Sequence, residues 1–355
     1  LVEVLKFSDA MADSSRFSKR HLLLGNGFSI GCRPDIFHYG SLFQKANFSE
    51  YPELSKVFEL LGTQDFEVAI RNLEAGAKLL PIYLPDHIDA TKRMLNDAAA
   101  LKEILLGTIA GNHPDIPGDI PNEKFWACRR FLANFLGDPA GGQVFTLNYD
   151  LLLYWTLMHE DMPFGELLSL ASNDGFGNDE DEPDADYVVW QGETASHSAR
   201  VHFLHGALHL FDAGSELQKF TWIRTNDRLI DQARSAIGQN KFPLFVAEGS
   251  STQKKSKIRH NAYLYQGFKQ FTVNAQQRPH CFFIHGHSLD DNDDHILRRL
   301  GAGKFTKLYV SLFGSAGAPA NRKILAKAQS LAAIRSSRFP MDVAFYDASS
   351  AEVWG

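Results

Sequence analysis

Four short segments combine backbone freedom with side chains able to hold or move a proton. They are Gly25-Asn26-Gly27-Phe28-Ser29, Thr146-Leu147-Asn148-Tyr149-Asp150, Leu204-His205-Gly206 and Gly286-His287-Ser288-Leu289-Asp290. A glycine turn lets backbone N–H groups approach a diphosphate, and a helix starting after it adds a favourable dipole. The Gly-x-Gly spacing alone is a weak signal, because Gly31 lies four residues after Gly27 where the dinucleotide pattern has its third glycine after three. An asparagine amide carries donors and an acceptor, so Asn148 can orient water or a hydroxyl without adding charge. A histidine titrates near neutrality, so His205 can accept a proton. Each residue also has a structural reading. Asn148 suits a strand-end turn and Asp150 a helix cap, Ser29 suits the cap of the helix after Gly27, and His202 and His209 compete with His205.

The elements that must position these segments follow from apolar patterning. His21 to Leu24 reads as a short buried strand stopped by the glycine turn, and Gln143 to Leu147 as a second strand with a helix from Leu151 to Met158 after it. Further strands are expected at Val201–Leu204, Phe242–Ala247, Cys281–Ile284, Leu308–Leu312 and Val343–Tyr346, with helices near 227–238, 258–275, 293–300 and 320–336. This alternation predicts a Rossmann-like, doubly wound α/β domain with a mostly parallel sheet, whose ligands bind at the carboxyl ends of the strands. Residues 1–20 read as an N-terminal arm, and 21–355 as the domain. Phe66, Ile70, Leu73 and Ala77 fall at helical spacing, as do Leu95–Ile109 and Phe125–Leu136, so about 50–137 reads as a helical insertion. Seven acids and no base between Asn173 and Asp186 predict a solvated acidic loop within about 165–190, and their spacing does not fit a calcium loop.

Composition narrows the classes. The 355 residues are 44% hydrophobic with 27 Phe, which supports a sizeable core and excludes a disordered chain. Against 42 acids stand 36 Lys plus Arg, a formal charge of −6, so no global field draws in nucleic acid and direct sequence-specific binding to it is not expected. Cys32, Cys128 and Cys281 lie far apart without a Cys-x-x-Cys pair, which encodes neither a disulfide framework nor a cysteine zinc site. No apolar run is long enough for a bilayer span and the first 20 residues lack a signal core, so a cytoplasmic protein is expected.

In their order along the chain, the four turns resemble the sirtuin-like NAD-binding family, which carries a Gly-Ala-Gly-x-Ser loop, a Thr-x-Asn-x-Asp segment, a His-Gly pair and a late Gly-x-Ser segment. More narrowly, the chain is similar to a bacterial branch of that family akin to sirtuin-like antiphage effectors. The resemblance covers about His21 to Asp347. It implies NAD as substrate, with Gly25, Asn26, Gly27 and Ser29 around the phosphates, Phe28 near the nicotinamide ribose, Asn148 and His205 as catalytic residues, and Gly286 and Ser288 at the adenosine ribose. Asp35 matches only loosely, since Arg33 precedes Pro34-Asp35 where sirtuins have Pro-Asp-Phe-Arg. It further implies NAD depletion in phage-infected bacteria, and action as a homo-oligomer or with a partner defence protein such as an ATPase, for which 50–137 is the candidate contact surface. Cleaving the nicotinamide–ribose bond passes through an oxocarbenium-like centre, so the site must hold the ribose and place a nucleophile beside C1′.

The chain departs from the family at Asn26, between the glycines, and lacks the four zinc-module cysteines of deacylating sirtuins. Water is thus the expected acceptor, giving nicotinamide and ADP-ribose, and protein deacylation is disfavoured. The usual ribose-binding acid about 20 residues past the glycine turn is also missing, as Asn47 and Glu50 are poor substitutes. Two alternatives stand beside the NAD glycohydrolase. A non-catalytic module sensing NAD or ADP-ribose needs the glycine turn but not the pair Asn148 and His205. A metal-dependent phosphoesterase would draw on His280, His285, His287, Asp290, Asp291, Asp293, Asp294 and His295, but a His-x-His-x-Asp-His signature would need Asp and His where the chain has Leu289 and Asp290. Gly111-Asn112-His113 lacks the preceding metallophosphoesterase motifs. No metal is expected, and the aspartates of 290–294 read as a helix cap.

Overall fold

The computed structural model describes residues 2–37, 42–137, 141–159, 168–182, 184–195, 198–214, 216–220, 228–239, 241–246 and 250–355. The core element is a seven-stranded, all-parallel sheet. Its strands are β1 (Val4–Leu5), β2 (Lys19–Leu24), β3 (Val144–Thr146), β6 (Val201–Phe203), β10 (His280–His285), β11 (Lys307–Leu312) and β12 (Asp342–Asp347), in the order β1-β12-β11-β10-β2-β3-β6. Such strands are buried on both faces and read as continuous apolar runs. Leu22, Leu23 and Leu24 on β2 and Phe282, Phe283 and Ile284 on β10 are all without solvent exposure.

Alternation along β10 shows how both faces are filled. Phe283 meets Phe7 and Phe135, from the helices Phe7–Ser14 and Asn122–Leu136 on one face. Its neighbour Phe282 meets Phe271 of the helix Ala262–Ala275, and Phe305, on the other. The expected doubly wound α/β fold is thus the fold observed, with the helical segment of 50–137 also in place as Leu54–Leu61, Phe66–Tyr83, Ile88–Ala110 and Asn122–Leu136. Among the described residues no helix is long and apolar enough to cross a membrane.

Three expectations need correcting. The first 20 residues are not an arm: β1 pairs with β12 at the sheet edge, Phe7 is buried, and β2 already begins at Lys19. Phe242–Phe245 (β9) does not join the parallel sheet. It closes a second, antiparallel sheet, β4-β5-β8-β7-β9, with β4 (Phe176–Gly177), β5 (Tyr187–Trp190), β7 (Gly206–Asp212) and β8 (Leu217–Phe220). The acidic segment is not wholly solvated either, because Asp174, only 11% exposed at its side chain, pairs with Lys219 on β8 at 2.7 Å. A charge so enclosed needs its counter-ion.

The two sheets are joined at one corner. After β6 the chain turns through Leu204-His205 and enters β7 at Gly206, whose φ of +73° and closeness to the Leu244 carbonyl leave no room for a Cβ. His205 is thereby fixed where both sheets meet, its carbonyl accepting from the Val246 N–H at 2.7 Å.

Candidate functional site

In the parallel sheet, β2 stands between β3 on one side and β10 on the other. The chain winds outward from β2 through β3 to β6, then crosses back to β10, β11 and β12. The strand order therefore reverses between β2 and β10, which is the topological switch point where open α/β sheets hold ligands. A cleft of about 380 Å³ opens there, lined by Gly25 and Asn26 after β2, Leu147 to Asp150 after β3, His205 after β6, and Gly286, His287, Ser288, Asp290 and Asp293 after β10. Lys45 and Lys254 supply cations to its walls. All four predicted turns thus reach one cavity.

The glycines serve a close approach between turns. A Cβ on Gly25 would meet His287 and the Gly286 carbonyl within 2.8 Å, and one on Gly286, at φ +69°, would meet the Phe28 nitrogen at 2.5 Å. Gly25 N–H donates to the His285 carbonyl at 2.9 Å and Gly27 N–H to that of Gly286 at 2.7 Å. These two N–H groups are spent inside the protein, so they are not the phosphate donors that the sequence suggested.

The Asn148 wall is a chain of hydrogen bonds without net charge exchange. Asn148 Nδ2 donates to the Gly25 carbonyl at 3.1 Å and to Ser29 Oγ at 2.9 Å, which uses both amide hydrogens and leaves Oδ1 as the acceptor it offers. Ser29 donates in turn to Asp150 Oδ2 at 2.5 Å, and Asp150 Oδ1 accepts from the Leu152 N–H at the start of the helix Leu152–Met158. Burial raises the Asp150 pKa, with the Ser29 and Leu152 bonds opposing. Beneath this turn His113 Nε2 accepts from Leu151 N–H at 2.9 Å while its Nδ1 faces the Pro114 carbonyl at 2.8 Å, so the neutral ring is the form that fits. Burial pushes its pKa down to about 4.

The His205 wall is built from charges. His205 is buried, with Nε2 at 3.0 Å from His295 Nε2, and His295 Nδ1 at 3.2 Å from Ser251 Oγ. Asp293 Oδ1 binds Lys254 Nζ at 2.9 Å and lies 4.0 Å from His205 Nε2, while Oδ2 accepts from His287 Nε2 at 3.1 Å. The Leu289 N–H, in a turn at φ +58°, donates to His287 Nδ1 and thereby fixes the proton on Nε2. Burial takes the pKa of His205 to about 3 and that of His295 to about 4, with Asp293 opposing in both. For Asp293, burial is outweighed by the His287 bond and by the surrounding positive groups, which include Lys254, so its carboxyl lies well below the usual range. Two neutral imidazoles thus face one fixed carboxylate.

Of the residues singled out in the sequence, Gly25, Asn26, Asn148, His205, Gly286 and Ser288 line the cleft. Ser29 lies fully buried behind Asn148, as a link in its hydrogen-bond chain. Phe28 does not face the cleft. Its ring packs on Trp354, centroids 4.9 Å apart, and its carbonyl accepts from Trp354 Nε1 at 2.7 Å. Asp35 is turned outward in a pair with Arg33 at 2.7 Å. Asp293, read as a helix cap, has no cap bond and faces inward because Lys254 and His287 draw its carboxylate into the cleft. Lys254 and Lys45 were not singled out. Lys254 lies on the helix Ser251–His260, whose pattern is strongly polar, and nothing local distinguishes it from Lys255 and Lys257.

Residues 22–354 match the model of a family described as domain of unknown function (DUF4917). The chain belongs to the DUF4917 family. No curated protein matches it. The match begins within β2 and ends at Trp354, so every cleft residue named above falls inside the family domain. The family description carries no activity.

Proposed function

We propose that the cleft binds NAD and hydrolyses its nicotinamide–ribose bond, giving nicotinamide and ADP-ribose. The reading is carried by one observation: Asn148 and His205, from the ends of two neighbouring strands, line the same switch-point cleft. Asn148 Oδ1 accepts a hydrogen bond from a ribose hydroxyl or from the attacking water. Burial takes the His205 pKa to about 3, not the near-neutral value expected from the sequence, so this neutral ring is a weak base that takes the proton only as the water oxygen bonds to C1′. The electron pair of the broken C–N bond returns to the pyridine nitrogen, nicotinamide leaves uncharged, and the proton passes from His205 to solvent. Because the Gly25 and Gly27 N–H groups are already paired, the diphosphate falls to the Asn26 side of the cleft and to Lys45, whose pKa burial lowers.

A second reading, a module that senses NAD or ADP-ribose without cleaving it, is favoured by the engagement of His205 Nε2 with His295. Incubating purified protein with NAD and resolving the products by chromatography separates the two. Under the first reading nicotinamide and ADP-ribose form, and Asn148→Ala and His205→Ala each lower kcat by about 10²-fold or more. Saturable binding without turnover selects the sensor, and no binding at all defeats both.

A further inference from the structure

The cluster behind His205 exceeds what a general base requires, and its ligand atoms converge. His205 Nε2, His295 Nε2 and an Asp293 carboxylate oxygen all lie within 4.8 Å of one another. We propose that His205, His295 and Asp293 form a binding site for a single first-row divalent ion, and that the bound ion occupies the lone pair of His205. The second clause rests on the NAD reading; the first does not.

The spacing of the two ring nitrogens suits an ion. Two ligands about 2.1 Å from one metal lie about 3.0 Å apart at a right angle and about 3.4 Å apart in a tetrahedron. The two imidazole nitrogens are 3.0 Å apart, and Asp293 Oδ1 is 4.0 Å from His205 Nε2. Two imidazoles and one carboxylate suit Mn2+, Fe2+, Co2+ or zinc, and the carboxylate, 4.0 Å from His205 Nε2, has to move inward as all three close on one ion. The outer contacts are in place as well. His295 Nδ1 meets Ser251 Oγ, and Asp293 Oδ2 is held by a His287 whose own tautomer is fixed by Leu289. Such partners orient ligands and raise their basicity.

One group opposes the ion. The Lys254 ammonium sits 2.9 Å from Asp293 Oδ1, which is the place of a competing cation. An entering ion has to displace it, so Lys254 tunes the affinity downward.

The test is a titration of the full-length, metal-stripped chain with Co2+, followed by visible absorption and by calorimetry. One equivalent is expected to bind, with affinity at least tenfold weaker in His295→Ala and at least threefold tighter in Lys254→Met. The gain in Lys254→Met cannot come from misfolding, so it protects the test against a damaged His295→Ala variant. Absence of stoichiometric binding, or binding that neither substitution moves, overturns the site. In the NAD assay, one equivalent of Co2+ is expected to suppress turnover of the stripped enzyme at least tenfold. Turnover unchanged with Co2+ bound overturns capture of His205. Co2+ binding by a protein that never cleaves NAD refutes the glycohydrolase reading and leaves the ion site standing.

Discussion

The two walls of the cleft are made differently. Asn148 is held by a relay through Ser29 to Asp150 and by a backbone carbonyl, all within hydrogen-bond distance. His205 is surrounded by the Asp293–Lys254 ion pair and by the rings of His287 and His295. The first wall fixes the orientation of an amide. The second fixes protonation states, and it depends on a buried ion pair whose members are each costly to leave alone.

The largest expected effect tests that dependence. Asp293→Ala strands the Lys254 ammonium, whose side chain is only 6% exposed, and should cost about 4 kcal/mol in urea-induced unfolding. If the loss is below about 1 kcal/mol, the value expected of a surface pair, the second wall is not charge-built. Next, Ser29→Ala removes the donor to Asp150 and the acceptor for Asn148, which should cost about 2 kcal/mol in the same experiment. It should also lower kcat for NAD more than it raises KM, since Asn148 would be free to turn.

A third effect depends on pH. The folded-state pKa of His113 is lowered to about 4 from the ordinary histidine value of 6.5, so between those limits the unfolded chain binds the extra proton. The stability contributed by His113 is therefore complete above pH 6.5 and is lost as pH falls towards 4, with a slope of up to about 1.4 kcal/mol per unit. Urea unfolding across that range should show a shallower slope in His113→Gln. An equal slope would mean that the ring is not the neutral acceptor for Leu151. Smallest of all, Asp35→Ala should leave stability and NAD binding unchanged, because its carboxylate faces solvent and pairs only with the neighbouring Arg33. Loss of NAD binding in Asp35→Ala, measured by calorimetry, would restore the role that the sirtuin-like resemblance suggested.

The contrast between the walls also explains what could be read from the sequence. The strand ends were legible because a parallel strand buried on both faces is a short apolar run, and Leu22 to Leu24 stop at Gly25 while Phe282 to Ile284 stop one residue short of Gly286. Asn148 and His205 were legible because they follow such runs directly. The antiparallel sheet was not, since Gly206 to Phe211 are buried without the alternation that marks a half-exposed strand. Lys254 and Asp293 meet across 39 residues, and each sits among like neighbours whose charges face solvent. Asp174 was hidden in the same way within its acidic segment until Lys219 was brought against it. A run of one charge sign does not reveal which member is turned inward.

Trp354 gives the cleft an optical handle. Its indole packs at a tilt on Phe28 and donates to that residue's carbonyl, so its environment is coupled to the short helix Gly27–Cys32 that carries Ser29. Any ligand that shifts Asn26 or Asn148 alters the surroundings of a fluorophore that does not line the cleft. The difference in emission between the parent and Trp354→Phe then isolates this signal from the other four tryptophans, and occupancy becomes visible whether or not a bond is broken.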